Sequence, residues 1–132
     1  MSKPLILIVE DDEATAECLS DLFGDEGYAT QALSSPGALE AVRSARPDLI
    51  LLDLVFPNSK GEDLLRAVRL DRDLRHLPVV LLSAVPRLAD TAAKLPVQGY
   101  VPKPFELDLL LDTVNNLVGR PYTSPSHEPC WA

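Results

Sequence analysis

The 132-residue chain is expected to fold as a doubly wound α/β domain around a five-stranded parallel sheet of strand order 2-1-3-4-5. Three observations point there. Aliphatic runs at Leu5–Val9, Leu49–Asp53 and Leu77–Leu82 lack the polar-apolar alternation of half-exposed strands, and suit strands covered on both faces. Each run is followed, after a short connection, by a stretch of helical periodicity, and alternation of this kind builds a parallel sheet with right-handed crossovers. Each run also ends on polar residues, and ligands bind at the carboxyl ends of the strands in open parallel α/β sheets.

The first strand, Leu5–Val9, runs straight into Glu10-Asp11-Asp12-Glu13. A helix then begins near Ala14 with Ala16, Leu19, Leu22 and Phe23 as its apolar stripe, and stops around Gly24 to Gly27. Acids in a first helical turn complement the helix dipole, which accounts for Asp12 and Glu13. Glu10 and Asp11 remain at the strand end, where like charges repel and need a counterion. Tyr28–Leu33 alternates weakly and fits an edge strand. Ser34-Ser35-Pro36 reads as the cap of a second helix through Arg46, with Ala38, Leu39, Ala41 and Val42 on its buried side. After the third strand and a loop over residues 56–61, a helix carries Leu64, Leu65, Val68 and Leu70 as its stripe. The fourth strand reaches Ser83-Ala84. Pro86 and Pro96 bracket the next stretch and leave room for only a short helix. Gln98–Val101 forms a short fifth strand leading to Pro102-Lys103-Pro104-Phe105. The last helix presents Leu107, Leu110, Leu111, Val114 and Leu117 before Gly119 and Pro121 end it. Residues 1–119 thus make one domain, and the Pro-, Ser- and Thr-rich residues 120–132 read as a flexible tail.

Composition narrows the function. A net charge of −8 disfavours direct binding to nucleic acid, which needs clustered lysines and arginines. The five aliphatics after Lys3 and Pro4 are too few for a signal-peptide core or a membrane span, so a cytoplasmic protein is expected. Cys18 and Cys130 sit in unlike settings and read as reduced thiols. His76 and His127 lie in a loop and in the tail, and carry no assigned chemistry.

Asp53 alone is ambiguous, because Asp also starts turns. The other strand ends decide it. With the first, third, fourth and fifth strands central, Glu10, Asp11, Asp53, Ser83 and Lys103 converge at one rim. Carboxylate pairs about 4 Å apart repel by roughly 4 kcal/mol at an effective dielectric near 20, so the cluster needs a cation or a protonated member. All-oxygen ligands favour Mg²⁺ or Mn²⁺. A hard cation there would let the Asp53 carboxylate attack a phosphoryl group, with the Ser83 hydroxyl and the Lys103 ammonium on the remaining oxygens.

The pattern resembles the receiver domain of two-component response regulators, a flavodoxin-like (βα)5 fold. The matching stretches are Ile-Leu-Ile-Val-Glu-Asp-Asp-Glu at 6–13, Pro-Asp-Leu-Ile-Leu-Leu-Asp-Leu at 47–54 with Pro57 and Gly61 following, Leu-Leu-Ser-Ala at 81–84, and Tyr-Val-Pro-Lys-Pro-Phe at 100–105. The resemblance implies Asp53 as phosphoacceptor. It implies Glu10 and Asp11 as an acidic pair holding Mg²⁺ directly or through water, and the Val55 carbonyl as a further ligand. Ser83 and Lys103 would contact the phosphoryl group, Tyr100 would be the aromatic whose rotation reports it, and Lys103–Pro104 would be a cis peptide. The donor would be a histidine kinase or phosphotransfer protein. With no effector domain after Gly119, a stand-alone receiver is expected, its output going to a downstream partner protein or to a phosphorylation-dependent homodimer.

Three departures qualify the resemblance. Lys60 precedes Gly61 where the family usually has an acid. Sixteen residues separate Ser83 from Tyr100, about two fewer than is common in the family, so the fourth helix should be short or displaced. Val55 is apolar and orients no water, which would slow hydrolysis of an acyl phosphate. A pseudo-receiver, binding partners without phosphorylation, is the alternative reading. An aspartyl-phosphate phosphohydrolase fits less well, because it would usually carry a second aspartate where Val55 stands; the chain is therefore read as a phosphoacceptor, not an enzyme, with at most slow self-dephosphorylation.

Overall fold

The computed structural model describes residues 3–35, 39–57 and 60–119. Five strands alternate with five helices in the order β1 (Leu5–Val9), α1 (Glu13–Asp25), β2 (Ala29–Leu33), α2 (Leu39–Ala45), β3 (Leu49–Leu52), α3 (Gly61–Leu70), β4 (Val79–Ser83), α4 (Leu88–Ala93), β5 (Gly99–Pro102) and α5 (Leu107–Leu117). The sheet order is β2-β1-β3-β4-β5 and all four pairings are parallel. The expected architecture and strand order are therefore the ones observed. The expected tail lies outside the described residues.

Every residue of β3 and β4 is buried, which is why those segments read as continuous apolar runs. Successive side chains alternate between two cores. Leu7, Val9, Ile50, Leu52, Val79 and Leu81 face α2, α3 and α4 and pack with Val42, Leu64, Leu65, Val68 and Leu88. Ile6, Ile8, Leu49, Leu51, Val80 and Leu82 face α1 and α5 and pack with Leu19, Phe23, Leu110 and Val114. Each fully buried aliphatic side chain is worth about 2 kcal/mol of transfer free energy.

Local chemistry sets the helix ends. The Asp12 carboxylate accepts from the Thr15 N–H at 3.0 Å and from the Thr15 hydroxyl, capping α1. Those two bonds, the hydroxyl first, hold its pKa below the ordinary carboxylate value. After α1, Gly27 takes φ +94°, a conformation open to glycine at little cost. Arg46, rather than closing α2, stands just past it at φ 51°. Leu70 departs from expectation: it is 86% exposed, because the buried stripe of α3 runs through Leu64, Leu65 and Val68, and two positions on, at about 100° per residue, the side chain points to solvent. As expected, α4 is short, at six residues, and Lys103–Pro104 is cis. Cys18 is exposed on α1. No helix among the described residues is long and apolar enough to cross a membrane.

Candidate functional site

Register brings the acids together. Val9 pairs with Leu52 across β1 and β3, so the next residues along, Glu10 and Asp53, leave adjacent strands side by side. The Asp53 N–H donates to the Val9 carbonyl at 3.1 Å and the Glu10 N–H to the Leu33 carbonyl at 2.9 Å, anchoring both main chains in the sheet. Asp53 thus stands one residue beyond β3 rather than as its last member. On the other side, Ser83 pairs with Pro102 and the Lys103 N–H donates to the Ser83 carbonyl at 2.9 Å, which directs the lysine over the same rim.

The side chains meet there. The Lys103 ammonium donates to Glu10 Oε1 and, at 2.9 Å, to Asp53 Oδ2. The other Asp53 oxygen, Oδ1, accepts from the Leu54 N–H at 2.7 Å and the Val55 N–H at 3.2 Å. Glu10 Oε2 accepts from the Asp12 N–H at 3.2 Å. Glu10 and Asp53 are buried, whereas Asp11 is exposed. One carboxylate oxygen from each of the three lies within 4.8 Å of the others. They border an open cavity of about 620 Å³ whose other walls include Val55, Phe56, Pro57, Ala84, Val85, Pro86 and Lys103.

Burial and pairing oppose each other in this cluster. Burial pushes the Glu10 carboxyl above its ordinary range, outweighing the bond from Lys103 that pulls it down. For Lys103, burial works toward a lower pKa, but the bonds to Glu10 and Asp53 together carry the ammonium above its ordinary value. Both directions come from the same contact: the Lys103 ammonium sits among acids, and the buried Glu10 carboxyl is desolvated beside it. Three oxygen ligands of this kind, with open space beside them, fit a hard divalent cation.

Ser83 is placed less directly. It is fully buried, its hydroxyl has no hydrogen-bond partner among the described residues, and its neighbour Ala84, not Ser83 itself, lines the cavity. Tyr100, on the edge strand β5, is 43% exposed, and Val55 forms a lip that is 57% exposed. Residue types alone did not disclose that the Leu54 and Val55 amides hold Asp53, because main-chain donors leave no mark in a sequence. Nor did they disclose the Glu10–Lys103 contact, which depends on side-chain reach across the first and fifth strands.

A wound parallel sheet with buried acids and a lysine at its carboxyl rim is the arrangement of a receiver domain. The chain belongs to the response regulator receiver domain family, whose model matches residues 6–115. It is 35% identical over 119 residues to the chemotaxis protein CheY of Pseudomonas aeruginosa, covering 87% of this chain and 96% of that protein. It is 36% identical over 124 residues to the DNA-binding response regulator MtrA of Mycolicibacterium smegmatis, covering 92% of this chain but only 53% of that protein. The chain therefore spans about half the length of that relative. A crystal structure of a putative response regulator from Chloroflexus aurantiacus J-10-fl superposes with a TM-score of 0.81 at 30% identity, over 89% of this chain and 100% of that one. Membership of this family places the chain in two-component signalling.

Proposed function

We propose that this chain accepts a phosphoryl group on Asp53 from a histidine kinase or phosphotransfer protein of the cytoplasm, in the presence of Mg²⁺, and passes the resulting conformational change to a partner protein. The observation that carries this reading is the double hold on Asp53. One oxygen is pinned by the Leu54 and Val55 amides while the other faces Lys103 and the open cavity. Such a hold supports the reading, since a carboxylate with one oxygen fixed could present the other for in-line attack. Its oxygen forms the bond to phosphorus as the bond to the donor atom breaks, and the donor keeps that electron pair. Mg²⁺, or Mn²⁺, held by Glu10, Asp11, Asp53 and the Val55 carbonyl would neutralise charge on the phosphoryl oxygens.

Lys103 is already within bonding distance of Asp53 and is the group that would follow charge onto the transferred oxygens. The Ser83 hydroxyl, buried and without a partner among the described residues, would gain one only once the segment at Ala84 closes on the phosphoryl group. That movement would open the space into which Tyr100 turns from its exposed position. The chain is in this reading a substrate for transfer, not a turnover catalyst, with at most slow self-dephosphorylation.

Incubation with Mg²⁺ and acetyl phosphate tests it. A single hydroxylamine-labile phosphoryl adduct that disappears in Asp53→Asn is expected. Many turnovers of phosphate release would instead indicate a phosphohydrolase. Absence of any adduct would favour a pseudo-receiver, the reading suited to a fourth helix of only six residues.

A further inference from the structure

The described ends of the connection between β3 and α3 lie against each other. Val55 and Lys60 form an antiparallel bridge, and the Gly61 N–H donates to the Leu54 carbonyl at 3.1 Å. The first residue of α3 is thereby pressed against the end of β3. A Cβ built on Gly61 would stand 2.1 Å from the main-chain oxygen of Asp53 and 2.9 Å from Leu54 Cα. Both atoms are backbone, so no rotamer change relieves the clash.

The need for glycine here is one of space. Gly61 does not adopt a positive φ, so its backbone conformation does not call for glycine. What the missing side chain allows is close approach, and the backbone approached is the one that orients the site. The Leu54 and Val55 amides hold Asp53 Oδ1, and a shift of that segment would carry the carboxylate with it.

We propose that Gly61 is a positioning residue for Asp53: its bare backbone lets α3 seat against residues 53–54, and this contact sets the direction in which the Asp53 carboxylate faces Glu10, Asp11 and Lys103. The proposal rests on the reading of Asp53 as phosphoacceptor. A misplacement of about 1 Å in a reacting group costs on the order of a hundredfold in rate.

Gly61→Ala tests this, with Gly24→Ala as control because a Cβ at Gly24 meets nothing within 4 Å. Three quantities are read: the Leu54 and Val55 amide resonances of the metal-free protein, Mg²⁺ affinity by calorimetry, and the rate of phosphorylation by acetyl phosphate at saturating Mg²⁺. Gly61→Ala is expected to retain a cooperative thermal transition and native far-ultraviolet dichroism. It should displace both amide resonances, weaken Mg²⁺ binding roughly tenfold and slow phosphorylation roughly a hundredfold, while Gly24→Ala changes none of the three. A folded Gly61→Ala with unmoved amides and both functional quantities at the wild-type level overturns the proposal. So does a Gly61→Ala chain that cannot fold, since the contact is then a condition of the fold; Gly61→Ser, carrying the same Cβ, checks that outcome. If wild type takes up neither Mg²⁺ nor phosphoryl group, the reading of Asp53 fails, and the amide resonances of the metal-free variant still judge whether Gly61 places that backbone.

Discussion

At the scale of single residues, Lys103 decides whether the acidic rim is tolerable. Its ammonium serves two buried carboxylates at once. Lys103→Met would leave Glu10 and Asp53 facing each other with no positive partner. A hydrogen bond to a charged group contributes roughly 1.5–3 kcal/mol, so a loss of about 2 kcal/mol in urea unfolding without metal is expected, and saturating Mg²⁺ should restore part of it. Wild-type stability in the variant would mean that water already satisfies the acids. Val55 is exposed at the wall of the cavity, and on the proposed reading its isopropyl group would offer nothing to a water attacking the acyl phosphate. Val55→Asn should shorten the lifetime of the acyl phosphate, measured by loss of the phosphoryl adduct after donor removal; an equal or longer lifetime removes the idea. That the acids and the lysine meet at one rim was legible in the sequence because each follows an apolar run, whereas Ser83, which also ends one, is buried and does not line the cavity. Gly61 was visible only as part of a motif, since the space a side chain would need is a property of the folded backbone.

Between elements, the joins are polar and specific. The Arg43 guanidinium on α2 donates to the buried Asp71 carboxylate just after α3, and Asp71 also accepts from the Asp73 N–H at 2.8 Å. Asp71→Ala would cut this tie and strand the Asp73 amide. A loss of roughly 1–2 kcal/mol is expected, at the lower end of breaking a buried pair because Arg43 is exposed enough to be rehydrated. Asp71→Asn, which keeps an acceptor, should lose less. A second join runs from the entry of β2 to α5, where the Tyr28 hydroxyl donates to the Asn115 side-chain oxygen and its ring meets Phe23 edge-on with centroids 5.7 Å apart. Burial, then the nearby Glu26 carboxylate, raises the Tyr28 pKa above 10.0. The folded state therefore keeps the proton longer than the unfolded chain does, and stability falls as pH rises from 10.0 through the raised value. Thermal midpoints measured across that alkaline window should fall less steeply in Tyr28→Phe. Strand and helix positions were readable from hydrophobic period, and Leu70 misled because one apolar residue at the end of a stripe carries no information about where the helix stops turning inward. Neither join was readable, since each unites residues far apart along the chain.

Across the whole molecule, the parallel order collects Glu10, Asp11, Asp53 and Lys103 at one rim, while the sheet separates the two apolar cores described above. Leu19 of α1 belongs to one and Leu65 of α3 to the other. Replacing either by alanine is expected to cost roughly 2–5 kcal/mol. Because the β-strands stand between them, the double variant should lose close to the simple sum, within about 0.5 kcal/mol; a large departure in a double-mutant cycle would show that strain crosses the sheet. The overall topology was the most legible feature of all, because strands buried on both faces leave a continuous aliphatic signature that few other architectures share. If the sum holds, the wall of strands has an evolutionary meaning. Drift on the α1–α5 flank and drift on the α2–α3–α4 flank become separate histories, and one side of the domain can be rewritten for a new neighbour while the other stays as it was.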